Sequence, residues 1–194
     1  MREELQRLQA DITFEATLRG RRLRFASTWG LFSPRRIDDG SRLLIEHAAL
    51  PESGRIVDLG CGYGAVGVAA AAACPGAEVH LVDKDFVAVD YARHNLEANG
   101  LANGRAYLSN AFAAVPDDAP LAAVLSNLPA NVGKEMLSIV LLEARRRLGP
   151  GGRLEVVTIS GLRAFIRRRF EEVFGTYEKV KQARGYTVAR AVRE

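Results

Sequence analysis

From residue 54 onward, short apolar runs alternate with longer amphipathic ones. Arg55 to Leu59 reads as a buried strand with a glycine-rich exit. Ala65 to Cys74 follows as a helix made almost wholly of alanine, valine and glycine, whose small side chains let it lie close against a sheet; Pro75-Gly76 ends it. Glu78 to Val82 is a second strand closing on Asp83, and Phe86 to Asn99 is an amphipathic helix stopped at Asn99-Gly100. Ala106 to Ser109 and Ala122 to Ser126 read as two further strands, Lys134 to Leu148 as a long helix, Arg153 to Ile159 as a fifth strand and Leu162 to Phe174 as another helix. Tyr177 to Lys181 and Tyr186 to Val192 flank a turn containing Gly185 and predict a terminal hairpin. The alternation predicts an α/β fold: a doubly wound, mostly parallel, seven-stranded sheet with a C-terminal antiparallel hairpin. Such sheets bind ligands at the carboxyl ends of their strands, so chemistry is expected at the strand exits.

The first 50 residues follow a different pattern. Thr17 to Phe25 alternates apolar and polar positions and predicts an exposed strand or hairpin arm. Trp29 to Pro34 reads as a loop, and Asp38-Asp39-Gly40-Ser41 supplies capping residues for a helix carrying Leu43, Leu44 and Ile45.

Bulk properties narrow the function classes. At 194 residues and 48% hydrophobic, the chain suits one globular domain, with no apolar run long enough for a membrane span and no signal-peptide core at its start; a cytoplasmic location is expected. Two cysteines, Cys61 and Cys74, exclude a disulfide framework and a Cys-x-x-Cys zinc site, and His47, His80 and His94 lack metal-ligand spacing, so no metal is expected. The net charge is +4, and all but four of the 27 basic residues are arginines, whose planar fork suits phosphate. That balance permits a nucleic-acid partner; genome composition or heat adaptation explains it equally well.

The chemistry begins at Val57-Asp58-Leu59-Gly60-Cys61-Gly62-Tyr63-Gly64. Gly62-x-Gly64-x-x-Gly67, with Asp83 downstream, fits the dinucleotide fingerprint literally, so an NAD-dependent oxidoreductase competes. Asp58 argues against it. A carboxylate at the strand end repels a pyrophosphate, whereas it favours the ammonium and sulfonium of S-adenosylmethionine. Glycines still let the backbone approach such a ligand closely. Asp83 accepts both ribose hydroxyls under either reading. Cys61 is expected to lend its backbone amide rather than act as a nucleophile.

Ser126-Asn127-Leu128-Pro129-Ala130 follows the fourth strand, where many amino-group methyltransferases carry Asn-Pro-Pro and an aromatic residue. An asparagine oxygen and the following carbonyl can accept hydrogen bonds from a target amine and aim its lone pair at the sulfonium methyl. Pro129 keeps Leu128 extended. From about Phe25 to its C-terminus the chain resembles the "methyltransferase small domain" group, which includes ribosomal RNA small-subunit guanine methyltransferases of type C and small archaeal relatives. The likeness rests on Gly30-Leu31-Phe32-Ser33, Asp39-Gly40-Ser41, Leu43-Leu44, the Asp58 loop, Asp83, Ser109-Asn110-Ala111-Phe112, Ser126-Asn127-Leu128-Pro129 and Gly133-Lys134-Glu135.

The resemblance implies an S-adenosylmethionine-dependent methyltransferase of a single domain, 1–194, with 1–50 as an N-terminal arm and helix covering the cofactor site. The cofactor set is then Asp58, Gly60, Cys61, Gly62, Gly64, Asp83, Lys84, Asn110, Ala111 and Asn127, with Asp58 to Gly64 at the methionine end, Asp83 at the ribose and Asn110 near the adenine amine. Asn127, Leu128 and Pro129 are the catalytic segment, and the acceptor is an exocyclic amine of an RNA base, ribosomal guanine favoured. Leu128 stands where relatives have the first proline, and Ala130 where they have the aromatic that stacks on the base. Trp29 or Phe32 is expected to supply the stacking face. Arg21, Arg22 and Arg24, on an arm expected near the strand exits, are the expected RNA contacts, whereas Arg145-Arg146-Arg147 and Arg167-Arg168-Arg169 read as solvated faces. Larger members carry a second domain, so substrate binding here is expected from the arm, a partner or a homodimer; monomer and homodimer both stay open. A protein-amide or small-molecule methyltransferase and a non-catalytic S-adenosylmethionine-binding module are the alternatives.

Overall fold

A computed structural model describes residues 1–129 and 132–194. The chain opens with α1 (Arg2–Gln9), then β1 (Ile12–Leu18), β2 (Arg21–Ser27) and α2 (Asp39–His47). The alternating part runs β3 (Ser53–Leu59), α3 (Ala65–Ala73), β4 (Gly76–Asp83), α4 (Phe86–Ala98), β5 (Gly104–Leu108), β6 (Leu121–Asn127), α5 (Lys134–Arg147), β7 (Leu148–Ile159), α6 (Arg163–Phe174), β8 (Glu178–Ala183) and β9 (Tyr186–Val192). Seven strands form one sheet in the order β5-β4-β3-β6-β7-β9-β8. β3 to β7 are parallel, and β9 and β8 add antiparallel at one edge. The predicted doubly wound sheet and terminal hairpin are therefore present. The order reverses between β3 and β6, so the crevice that binds ligands in such sheets opens above Leu59 and Asn127.

Two buried layers flank the sheet. One packs Ile56, Val79 and Leu81 against α2, α3, α4 and the N-terminal hairpin; the other packs Val57, Val124 and Val156 against α5 and α6. Gly67 sets the spacing of the first layer, because a Cβ there would lie 2.3 Å from Leu81 Cγ. Only glycine lets α3 seat at this depth.

The N-terminal arm is a hairpin, one of its two expected forms, and runs longer than the Thr17 to Phe25 segment. β1 and β2 pair antiparallel around Arg19-Gly20, both with positive φ, and make a two-stranded sheet of their own. The free edge of β2 is satisfied by side chains of α4. Asn95 donates to the Ala26 carbonyl at 2.9 Å and accepts from the Ala26 amide at 2.7 Å, and Asn99 does the same for Arg24 at 2.7 and 2.9 Å. Two asparagines thus take the part of a neighbouring strand. The Arg19 guanidinium donates to the Ile45 and Ala48 carbonyls at the C-terminal end of α2, which anchors the turn there. No helix among the described residues is long and apolar enough to cross a membrane.

Candidate active site

The exits of β3, β4, β5 and β6 converge on one crevice. Asp58, one residue before the end of β3, is 1% exposed. Its Oδ2 accepts the Gly67 amide at 2.7 Å, capping the first turn of α3, while Oδ1 accepts no hydrogen bond among the described residues. Burial raises the Asp58 carboxyl to about 7, with the charge of Asp83 adding to the rise and the Gly67 bond opposing it. A buried acid poised in this way gains most from a cation placed beside it.

The loop between β3 and α3 is bent by Gly60, Gly62 and Gly64, all at positive φ. A Cβ on Gly60 or Gly62 would meet no protein atom within 4 Å. Backbone conformation requires those two glycines, and the space beside them is open for a ligand. The Gly60 and Cys61 amides both donate to the Val82 carbonyl, at 2.8 and 3.0 Å. This corrects the expectation for Cys61: its amide is consumed inside the protein. Its thiol is buried and pushed up by desolvation and by Asp58 and Asp83, which disfavours the nucleophilic thiolate.

Asp83 ties the loop to the next strand. Oδ2 accepts the Gly62 amide at 2.9 Å and Oδ1 the Asp85 amide at 3.1 Å. A carboxylate has about four acceptor positions, so each oxygen keeps one for a further donor such as a ribose hydroxyl. The Ser109 amide donates to the Asp83 carbonyl at 2.8 Å, which brings exposed Asn110 and the positive-φ Ala111 beside this edge. Lys84 is exposed just past Asp83.

Across the crevice, the Ser126 hydroxyl donates to the Leu59 carbonyl at 2.8 Å and joins the exits of β6 and β3. Asn127 follows. Its Nδ2 donates to Asp38 Oδ2 at 3.0 Å and to Ser41 Oγ at 2.9 Å. The Leu128 amide donates to the Val157 carbonyl at 3.0 Å, and its side chain is buried. A proline at 128 would forfeit that bond, which gives the substitution a structural reason. Pro129 is exposed, and the expectation for Ala130 lies outside the described residues.

The segment between β2 and α2 leans over the glycine loop. Tyr63, buried in the loop, donates its hydroxyl to the Arg36 carbonyl at 3.1 Å and reaches the Ser33 carbonyl at 3.4 Å. Burial raises its phenol. Trp29 and Phe32 stand exposed on this segment. An open groove of about 410 Å³ is lined by Trp29, Ser33, Pro34, Arg35 and Arg36, with the Arg35 guanidinium 4.6 Å above the Trp29 ring.

Arg21, Arg22 and Arg24 lie elsewhere. The hairpin turn sits at the C-terminal end of α2; burial raises the thiol of Cys74, at the far end of α3, and Arg19 and Arg21 are close enough to oppose that rise. That is the edge opposite the strand exits, contrary to expectation. Arg22 and Arg24 also pair with Glu15. Sequence periodicity located the arm but not its direction, which the Asn95 and Asn99 pairings set. In the helical arginine runs Arg146, Arg147, Arg167, Arg168 and Arg169 pair with Glu143, Asp117, Glu171 and Glu172; Arg146, Arg167 and Arg168 are exposed as expected, whereas the Arg147 and Arg169 side chains are largely buried. Sequence reasoning missed Asp38, seen only as a cap, and Tyr186, whose hydroxyl donates to Asp38 Oδ1 at 3.3 Å from 148 residues away. Among the described residues no cluster of three His, Cys, Asp or Glu could hold a metal.

Comparison with known proteins agrees with this layout. Residues 22–190 match the family described as Methyltransferase small domain. The chain is 32% identical over 182 residues to YbxB of Bacillus subtilis, covering 92% of this chain and 90% of that protein. It is 33% identical over 184 residues to ribosomal RNA small subunit methyltransferase C of Pseudomonas entomophila, covering 93% of this chain and 54% of the relative. Among solved structures, a T. thermophilus 16S rRNA N2 methyltransferase in complex with AdoMet and guanosine superposes with a TM-score of 0.83 at 30% identity, over 94% of this chain and 50% of that one. The chain thus spans about half the length of these two ribosomal RNA methyltransferases.

Proposed function

Because the chain belongs to the methyltransferase small domain family, we propose that it transfers a methyl group from S-adenosylmethionine to an exocyclic amine of an RNA base, with ribosomal guanine the favoured acceptor. The observation that carries this reading is Asn127. It stands at the exit of β6, beside the Asp58 loop, with both amide protons engaged by the protein and its Oδ1 left as an acceptor. An amine donating its two protons to Asn127 Oδ1 and to the Leu128 carbonyl has its lone pair directed into the crevice.

S-adenosylmethionine, when bound, supplies an electrophilic methyl on a sulfonium. The residues present suit it. Asp58 Oδ1 offers an unused carboxylate oxygen to a cationic methionine end, and Asp83 keeps acceptor positions for ribose hydroxyls. With the Gly67 amide taken by Asp58, the Ala65 and Val66 amides of the first turn of α3 are left for the carboxylate. The relation of the chain to an AdoMet-bound relative supports the same assignment. Orientation and electrostatics, rather than a general base, carry the chain's contribution: the amine attacks the methyl carbon, the carbon–sulfur bond breaks to leave S-adenosylhomocysteine, and the methylated nitrogen then loses its proton.

For RNA, the phosphate contacts move from the hairpin to the strand-exit edge. Arg35, Lys84, Arg163 and Arg184 are exposed there, with no carboxylate partner among the described residues. Trp29 offers a stacking face with Arg35 over it. The test is transfer of labelled methyl from S-adenosylmethionine to deproteinised ribosomal RNA, with cell protein as the second acceptor pool. Label confined to protein would favour an amide acceptor instead.

A further inference from the structure

We infer that Asp38 sets the hydrogen-bonding polarity of the acceptor site, by fixing which end of the Asn127 side chain faces the substrate. The inference rests on the reading of Asn127 as the amine-binding residue.

An asparagine amide is ambivalent: oxygen and NH₂ are nearly the same size, and one rotation exchanges an acceptor for two donors. A free asparagine at a strand exit would receive either kind of ligand atom. Here the rotation is blocked. Nδ2 donates one proton to Asp38 Oδ2 at 3.0 Å and the other to Ser41 Oγ at 2.9 Å. Turning the amide over would press Oδ1 against a carboxylate oxygen at that distance with no proton between them. Asp38 is itself held as an acceptor: Oδ2 also takes the Ser41 amide at 3.0 Å as the N-cap of α2, and Oδ1 takes the Tyr186 hydroxyl. A carboxylate accepting from three donors has no proton of its own to offer.

The lock draws on three distant parts of the chain: the exit of β6, the start of α2 and the start of β9. Gly40 lets them close. A Cβ on Gly40 would stand 2.8 Å from the Tyr186 ring and 3.0 Å from Asp38 Oδ2. Asp38-x-Gly40-Ser41 therefore supplies two of the lock's acceptors and the clearance for its third member. The consequence is selectivity. Asn127 Oδ1 can receive only a donor, so an N–H group is taken, while a ring nitrogen or carbonyl oxygen at the same point meets a lone pair. Asp38 is thus a positioning residue, acting through Asn127.

The test uses the full chain loaded with S-adenosylhomocysteine, with guanosine and inosine as probes; inosine lacks the exocyclic amine. Wild type should bind guanosine at least about 30-fold more tightly, as sites built around one hydrogen bond discriminate strongly. Asp38→Asn keeps the volume and the cap, since asparagine caps as well as aspartate, but lets Asn127 pair either way up. The guanosine-to-inosine binding ratio should fall to about 3-fold or less with S-adenosylhomocysteine affinity unchanged, and in a separate turnover assay with S-adenosylmethionine and ribosomal RNA kcat should fall by about 10-fold. The reciprocal variant, Asp38→Asn with Asn127→Asp, puts an acceptor-only group back in the site and should restore the ratio. Ser41→Ala removes one acceptor alone and should give an intermediate ratio even if Asp38→Asn folds poorly. If wild type discriminates and both Asp38→Asn and Ser41→Ala discriminate equally well, the lock is overturned while the amine reading stands. A reciprocal variant no better than Asp38→Asn overturns it too. If wild type binds guanosine and inosine alike, the amine reading falls, and the lock with it.

Discussion

The Asp58 carboxylate and the Gly67 amide are joined at 2.7 Å, so the acid proposed to face the cofactor also fixes the first turn of α3. One oxygen caps the helix and the other accepts no hydrogen bond among the described residues. Because burial raises its folded pKa to about 7, while an unfolded aspartate ionises near 4, the folded chain holds one more proton than the unfolded chain between those values. Its stability contribution therefore falls as pH rises from about 4 to about 7 and stays low above.

Two outcomes follow for Asp58→Asn, whose amide oxygen can still accept from Gly67. The cofactor-free variant should melt no lower than wild type at pH 8, with the difference shrinking toward pH 4. Calorimetry with S-adenosylhomocysteine should show wild-type affinity weakening as pH drops through 7, because the ammonium prefers an ionised partner. The variant should bind at least about 10-fold more weakly at pH 8, consistent with removal of a buried charge-assisted hydrogen bond. A pH-independent wild type would count against this role.

Asp83 should matter more for binding than for folding. Its two backbone bonds, to Gly62 and Asp85, can be taken over by water at a half-buried site. Asp83→Ala should therefore cost about 1–2 kcal/mol of stability. The thermal shift on adding S-adenosylmethionine at about 100 times the wild-type Kd should shrink from several degrees to near zero.

Gly67→Ala tests the packing of α3. Alanine gains about 1 kcal/mol of helix propensity over glycine, but its Cβ would meet Leu81 Cγ at 2.3 Å. Steric crowding should win, with a net loss of about 1–3 kcal/mol, as for other overpacked cores. Chemical denaturation reads the sign directly, and a stabilised variant would show that Leu81 yields.

The hairpin arginines and the strand-exit arginines separate two accounts of RNA binding. Arg21→Ala with Arg22→Ala should leave RNA affinity and its salt dependence unchanged. Arg163→Ala with Arg184→Ala should lower both, reducing the slope of log K against log salt by about one for each phosphate that is no longer neutralised. Anisotropy of a labelled structured RNA across a salt series distinguishes them.

The alternating part of the chain was legible because the central strands β3, β4, β6 and β7 carry runs of consecutive buried apolar residues, which fixes their order of appearance. The glycine loop and Asp83 were legible because backbone geometry limits which residues can stand there. Other features were not. α1 buries none of its residues, and Leu5 and Leu8, three apart, are the only large apolar side chains that mark it. β7 begins at Leu148, through a glycine-rich stretch that reads as a turn. The direction of the N-terminal arm depends on Asn95 and Asn99, more than 65 residues away, and the orientation of Asn127 depends on Asp38 and Ser41, more than 80 residues away. Side-chain hydrogen bonds of that reach leave no periodic trace in a single sequence.

Methyl transfer to ribosomal RNA by the purified chain, followed by nucleoside analysis, tests the central proposal most directly. Wild type with labelled S-adenosylmethionine should place the label in an N-methylated base, with N2-methylguanosine as the expected product. Asn127→Ala should abolish the label while remaining folded and still binding S-adenosylhomocysteine. Label on protein alone, label on a carbon or ribose oxygen of the RNA, or undiminished transfer by Asn127→Ala would contradict it.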